Sequence, residues 1–224
     1  MCDFNNGGDE GPFGYIVETA EVRALVEETQ RLMGSVASDA ERVRLLQPAF
    51  ERLLAAEGWL PDEYAAPDET SGMGGGIGQY ALYRAEDGSL CLFSLVVPAG
   101  STTPVHDHLA WGLIGLYRGR QAETVYRRLD DGGAEGAARL EVTLEQEVER
   151  GELFALLPPE GDIHRVSTIS DEPSVSIHLL ANDTACVWRH SFDPDAGTVT
   201  PFRSGYSNAT CVDEGMGDGT TLSS

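Results

Sequence analysis

From residue 79 onward this sequence is a succession of short apolar runs, each closed by turn-forming residues. That rhythm restricts the fold more than any other feature. QYALYR begins it at Gln79, followed by Asp87-Gly88 and SLCLFSLVV, which together make a hairpin signal. WGLIGLY, AETVYRRL, RLEVTLEQEV, ELFALL, HRVSTIS, SVSIHLL and ACVWRHSF continue it, with Asp-Asp-Gly-Gly and Pro-Pro-Glu-Gly among the connections. About nine strands at this spacing predict a mainly β domain, an antiparallel barrel or sandwich. The runs show no internal repeat.

The preceding segment has a different period. After Thr19, the residues Val22, Leu25, Val26, Leu32 and Met33 fall at helical spacing, with Gly34 placed to end the helix. A second helix starts at Ser38, where Ser38 and Glu41 form a capping-box pattern, and it carries Val43, Leu45, Leu46, Phe50, Leu53 and Leu54. Pro48 is expected to kink or split it, and Gly58 to close it. The resulting organisation is a disordered segment over 1–17, a helical extension over 18–78 packed outside the barrel, the barrel over 79–212, and a flexible tail over 213–224.

Composition removes several functions. The chain has 224 residues and a formal net charge of −22, a surface that repels phosphate backbones and anionic lipid, so neither nucleic acid nor a membrane is an expected partner. All 15 basic residues are arginine, which excludes lysine Schiff-base chemistry and a phosphate-loop lysine. Cys2, Cys91, Cys186 and Cys211 show no CxxC spacing and read as structural thiols. No window approaches a membrane span and no secretory leader pattern is present, so the expected location is cytoplasmic. The expected state is a monomer or homodimer. Trp111 and Trp188 read as core fillers.

Only five histidines occur, and their placement is informative. On a strand, His106 and His108 of His106-Asp107-His108 project to one face while Asp107 points away. Gly100 precedes them and Gly119 follows. Downstream, Gly151, Pro159, Gly161 and His164 form a second cluster, in which Gly161 makes a tight turn that delivers His164 to the start of a strand. Three imidazoles in this arrangement suit a divalent transition metal.

The two segments, GSTTPVHDHLAWGLIGLYRG and GELFALLPPEGDIHRVST, resemble the cupin motifs G(X)5HXH(X)3-4E(X)6G and G(X)5-7PXG(X)2H(X)3N. The resemblance implies a cupin double-stranded β-helix, a jelly-roll barrel holding a metal on His106, His108 and His164. Two positions depart from the pattern: Gly112 stands where cupins commonly place a glutamate ligand, and Thr168 where they place Asn. Without the glutamate, three neutral imidazoles leave the ion at its full double charge and favour an incoming thiolate.

That variant is similar to the thiol dioxygenase branch, which includes cysteine dioxygenase and 3-mercaptopropionate dioxygenase. The similarity extends over YALYRAEDGSLCLFSLVVPAGSTTPVHDHLAWG and RHSFDPDAGTVTPFRSGYS. It implies ferrous iron, with zinc, manganese and nickel left open, and a small thiol acid and O2 as ligands. Family members carry a Ser-x-His-x-Tyr run behind the iron, which maps onto Ser176 and His178, with Leu180 in place of the tyrosine. In cysteine dioxygenase a cysteine at the place of Gly112 crosslinks to a tyrosine, and glycine rules the crosslink out here. Arg189 lies at the distance of the carboxylate-binding arginine of the mercaptopropionate type. Arg84 ranks second, on the stretch where cysteine dioxygenase places its own arginine. His190, next to Arg189, reads as structural.

The function implied is oxidation of the sulfur of a small thiol carboxylate to a sulfinate. The alternatives are another metal-dependent cupin enzyme, such as a lyase, isomerase or carbon-carbon dioxygenase, and a non-catalytic metal-binding cupin.

Overall fold

A computed structural model describes residues 13–211. Two helices, α1 (Ala20–Ser35) and α2 (Asp39–Ala55), precede the main β-structure. The strands are β1 (Gly14–Tyr15), β2 (Gly78–Arg84), β3 (Cys91–Val97), β4 (Val105–His106), β5 (Gly112–Arg118) and β6 (Gln121–Arg128), then β7 (Leu140–Val148), β8 (Leu153–Leu156), β9 (Ile163–Thr168), β10 (Ser174–Leu180), β11 (Arg189–Asp193) and β12 (Thr198–Phe202). All nine expected runs form strands. The last starts late, at Arg189, because Ala185 to Trp188 form a turn.

Two six-stranded sheets result, ordered β1-β2-β3-β10-β5-β8 and β12-β11-β4-β9-β6-β7. From β3 to β10 successive strands alternate between the sheets except at the β6–β7 hairpin, and all neighbours pair antiparallel, so the eight central strands wind as a jelly roll. This is the double-stranded β-helix expected from the two histidine motifs.

Both helices lie on the outer face of the first sheet. Leu25, Leu46, Phe50 and Leu54 share one buried cluster with Leu82, Leu92, Leu113, Ile177 and Leu179. Each such side chain contributes about 1.5–3 kcal/mol by leaving water. A Cβ at Gly115 would stand 2.4 Å from Leu54 Cδ1, so this glycine lets α2 seat directly on β5. The seat also explains one departure from expectation. Helix α2 runs unbroken through Pro48, because Leu46, Ala49, Phe50, Leu53 and Leu54 bury on both sides of the proline and outweigh its cost of about 3 kcal/mol. Helix α1 continues past Gly34 to Ser35.

The N-terminal expectation needs correction at its end. Gly14 and Tyr15 pair with Arg84 and Tyr83, and the Tyr15 ring lies 4.9 Å from that of Tyr83. The rest of that segment, the tail over 213–224 and Cys2 lie outside the described residues. No helix among the described residues is long and apolar enough to cross a membrane.

Strand alternation sets what the barrel interior contains. On β10, Val175, Ile177 and Leu179 pack toward the helices, which turns Ser176, His178 and Leu180 inward. Leu180 joins Cys91, Phe93, Ile114 and Leu156 in the interior cluster.

Candidate metal centre

His106 ends β4, His108 follows it in the loop, and His164 is the second residue of β9, directly opposite His106 in the β4–β9 register. The three rings form a nearly equilateral triangle with centroid separations of 4.9, 5.0 and 4.9 Å. One nitrogen from each lies within 4.8 Å of the others, and all three residues are buried. Gly161 takes φ +68 in the turn that brings β9 into place, a conformation that disfavours a side chain.

Each Nδ1 is already engaged by the protein. His106 Nδ1 lies 2.9 Å from the Pro104 carbonyl oxygen, His108 Nδ1 3.3 Å from that of Asp162, and His164 Nδ1 2.8 Å from Glu123 Oε1. All three are acceptors, so each Nδ1 carries its hydrogen and each Nε2 keeps a lone pair for a metal. Burial, and then the Arg189 charge, hold the His106 pKa well below its usual value. Burial brings that of His108 down to about 4, against the opposing hydrogen bond with Asp162. Neutral imidazoles with converging lone pairs fit a divalent transition metal.

Two carboxylates of this centre escaped the sequence analysis. Glu123 on β6 is buried behind His164, and its other oxygen accepts from Gln146 Nε2 at 2.6 Å. It places a negative charge one residue away from an otherwise all-imidazole set, so a bound ion's double charge is partly offset. The available signal was an acid sharing the inward face of a strand with Gln121 and Val125. Asp162 accepts from the backbone N–H groups of His108 and Leu109 at 3.0 and 3.2 Å. It thereby ties the second histidine motif to the first and supports Leu109 at φ 56. Burial raises the Asp162 pKa, but hydrogen bonds and charge from His108 outweigh it and leave the carboxyl below its usual range.

Gly112 and Leu180 face each other across β5 and β10. A Cβ at position 112 would meet the Leu179 carbonyl oxygen at 2.1 Å and Leu180 Cδ2 at 2.7 Å. No side chain fits there, so the backbone itself excludes the fourth ligand common in cupins. Beside this pair, Ser176 Oγ and His178 Nε2 are 2.9 Å apart, Phe93 stacks on His178 at 4.5 Å, and the His178 ring lies 6.3 Å from that of His108. His178 Nδ1 is buried without a partner among the described residues. Burial keeps His178 neutral, its pKa well below the usual value.

The two arginines differ in charge balance. Arg84 is neutralised by Asp183, whose Oδ2 accepts from Nε at 3.0 Å and Nη2 at 2.8 Å. Arg189 is 4% exposed, yet no carboxylate among the described residues lies within ion-pair distance of it. Its N–H groups go to the carbonyl oxygens of Thr184 and Asp107 and to Ser204 Oγ, at 2.9, 2.8 and 2.9 Å. Its guanidinium lies 4.6 Å over the Phe202 ring, which is 6.2 Å from the His106 ring. Burial lowers its pKa to about 10, still fully charged at neutral pH.

His190 does face away, but Asp107, between His106 and His108, is its partner: Asp107 accepts from His190 N at 2.8 Å, and Oδ2 lies 2.6 Å from Nδ1. Trp111 packs against the helix-side core as expected. Trp188 does not, being 66% exposed, because it sits in the turn before β11, where Arg203 covers one face of its ring. Cys186 and Cys211 form a disulfide rather than two thiols, since the chain after β12 returns to the turn before β11. Cys91 is a buried free thiol, its pKa pushed up by burial to about 12.

Fold and site together define a class: a jelly-roll barrel whose interior presents three converging imidazoles. No known family profile matches the chain. Among solved structures it is similar to oxalate oxidase in complex with the substrate analogue glycolate, at 17% identity and a TM-score of 0.39 over 53% of this chain and 56% of that one. It is also similar to the cupin domain of Schizosaccharomyces pombe Cnp3, at 17% identity and 0.36 over 48% and 62%. A third is an RmlC-like cupin with a double-stranded β-helix fold from Methanocaldococcus jannaschii, at 12% identity and 0.35 over 48% and 82%. The chain spans 43% and 56% of the length of two of the oxalate oxidase structures it matches. The jelly roll follows from this chain's own strand pairing.

Proposed function

We propose that this protein is an iron-dependent dioxygenase that converts a small thiol carboxylate, of the 3-mercaptopropionate or cysteine kind, to its sulfinate. The observation that carries the reading is Arg189. A buried cation with no carboxylate at ion-pair distance among the described residues is costly, and a substrate carboxylate arriving beside the imidazole triangle would lower that cost. Three of the five guanidinium N–H groups are used by the protein, which leaves one on each terminal nitrogen for a carboxylate.

In the reaction, a thiolate and O2 give a sulfinate: two sulfur–oxygen bonds form, the O–O bond breaks, sulfur loses four electrons and oxygen gains them. A ferrous ion, when bound, supplies a dicationic centre for the thiolate and the redox capacity for O2. His106, His108 and His164 would hold it, with Glu123, Asp162 and the Pro104 carbonyl fixing their rings. Arg189 holds the carboxylate and so aims the sulfur. His178, oriented by Ser176 and Phe93, offers Nδ1, which has no hydrogen-bond partner among the described residues. Leu180, Phe93 and Phe202 exclude water. Arg84, already neutralised by Asp183, has no charge to spare for a substrate.

Oxygen uptake by iron-loaded protein with 3-mercaptopropionate, cysteine and mercaptosuccinate tests the reading, with the product checked by mass for two added oxygen atoms. Arg189→Met should raise KM by about 100-fold, the loss of two charge-assisted hydrogen bonds. Absence of thiol-dependent uptake with all three compounds sinks the proposal. Leu180 favours a second reading, in which the same site acts as a Lewis acid in a lyase or isomerase. Turnover with zinc or nickel in the absence of oxygen would select it.

A further inference from the structure

Leu180 leaves the inward face of β10 without a phenol, but the interior still contains one. After β12 the chain forms a strap over residues 203–211 that crosses from the second sheet to the first. Gly205 N donates to the Ala185 carbonyl at 2.9 Å, and Ser207 N to that of Gln79 at 2.7 Å. Asn208 completes the seam: its Oδ1 accepts from Ala81 N at 2.8 Å and its Nδ2 donates to Ala81 O at 3.0 Å. The Cys186–Cys211 disulfide closes the far end.

Two strap side chains face inward. Ser204 Oγ accepts from Arg189 Nη2. Tyr206 packs on the cluster that contains Cys91, Phe93 and Leu180, and its ring meets the edge of Phe93, the residue stacked on His178, at 6.1 Å. Its hydroxyl donates to Asp183 Oδ1 at 2.7 Å, and Asp183 is itself clamped by Arg84. The buried Arg84–Asp183 pair therefore fixes the orientation of a phenol. Burial holds that phenol neutral, its pKa well above the usual value.

We propose that the strap is part of the substrate site: Ser204 positions the Arg189 fork, and Tyr206, anchored by its hydroxyl to Asp183, positions Phe93 and through it His178. The inference rests on the thiol-acid reading above. Its consequence is a division of labour, with Ser204 acting on carboxylate affinity and Tyr206 on turnover.

Ser204→Ala and Tyr206→Phe each delete one oxygen atom. Calorimetric binding of 3-mercaptopropionate and of ethanethiol, which lacks a carboxylate, to zinc-loaded protein supplies a readout independent of turnover. Ser204→Ala should weaken 3-mercaptopropionate about tenfold and leave ethanethiol unchanged, since one hydrogen bond that orients the arginine is lost. Tyr206→Phe should keep both dissociation constants within about twofold and lower kcat for oxygen uptake by iron-loaded protein about tenfold. Ser204→Ala acting on both thiols alike, or on neither, overturns the proposal, as does Tyr206→Phe with wild-type turnover. Wild-type protein that retains metal and binds no 3-mercaptopropionate overturns the thiol-acid reading, and the proposal with it.

Discussion

Replacing Gly112 with alanine perturbs the position that decides the ligand set. The new Cβ would start 2.1 Å from the Leu179 carbonyl oxygen and 3.0 Å from Leu180 Cα, while real Cβ atoms essentially never approach closer than 3.0 Å. The oxygen belongs to the strand backbone, so relief requires β5 and β10 to separate. Around Gly112 that disturbs roughly two or three ladder hydrogen bonds at about 1 kcal/mol each, within the usual cost of overpacking a core. The expected destabilisation is about 3 kcal/mol, or roughly 6–12 °C in Tm for a chain of this size. Thermal unfolding of the metal-free protein by circular dichroism measures it. Gly112→Glu should suffer at least as much and gain no metal affinity, because its carboxylate cannot be seated. A Gly112→Ala protein within about 1 °C of wild type, or a Gly112→Glu protein that binds zinc more tightly, would refute the argument that backbone contact excludes a fourth ligand.

Glu123→Gln should keep an acceptor for His164 Nδ1 but remove the buried charge, weakening zinc about 10- to 100-fold in a chelator competition; unchanged affinity would show that the carboxylate does not tune the site. Stability of the metal-free protein should depend on pH through His106, His108 and His178, whose pKa values burial lowers. The unfolded chain protonates them near 6.5 and the folded one does not, so stability is full above about 6.5 and falls as pH drops, for His108 until about 4. The slope is roughly 1.4 kcal/mol per pH unit for each histidine, and a Tm that is flat from pH 7 to 5 would contradict it.

Period and motif made the barrel and its three-histidine cluster legible. All nine runs became strands, because period-2 alternation with Gly and Asp at the turns reflects local sterics and burial on one face. His106, His108 and His164 were legible from the spacing of the two motifs, although only His106 and His164 stand on strands and His108 lies in the loop after β4. Ser176 and His178 were placed behind the metal by resemblance, and their inward orientation follows from the same alternation.

Tertiary structure decided which charges are already satisfied and which are not. In sequence, Arg84 and Arg189 each follow an aromatic residue, Tyr83 and Trp188; only the fold gives Asp183 to one and leaves the other with no carboxylate at ion-pair distance among the described residues. Glu123 lies 41 positions from His164, Tyr206 lies 23 from Asp183, and Cys186 lies 25 from Cys211. Partners so far apart meet through strand crossovers, whose register no local pattern encodes. Pro48 shows the same limit in the helices, where its local cost is real and is outweighed by the face it helps bury. Local chemistry in the sequence was enough to single out three imidazoles that converge, whereas the charges around them depend on pairings that exist only once the two sheets have closed.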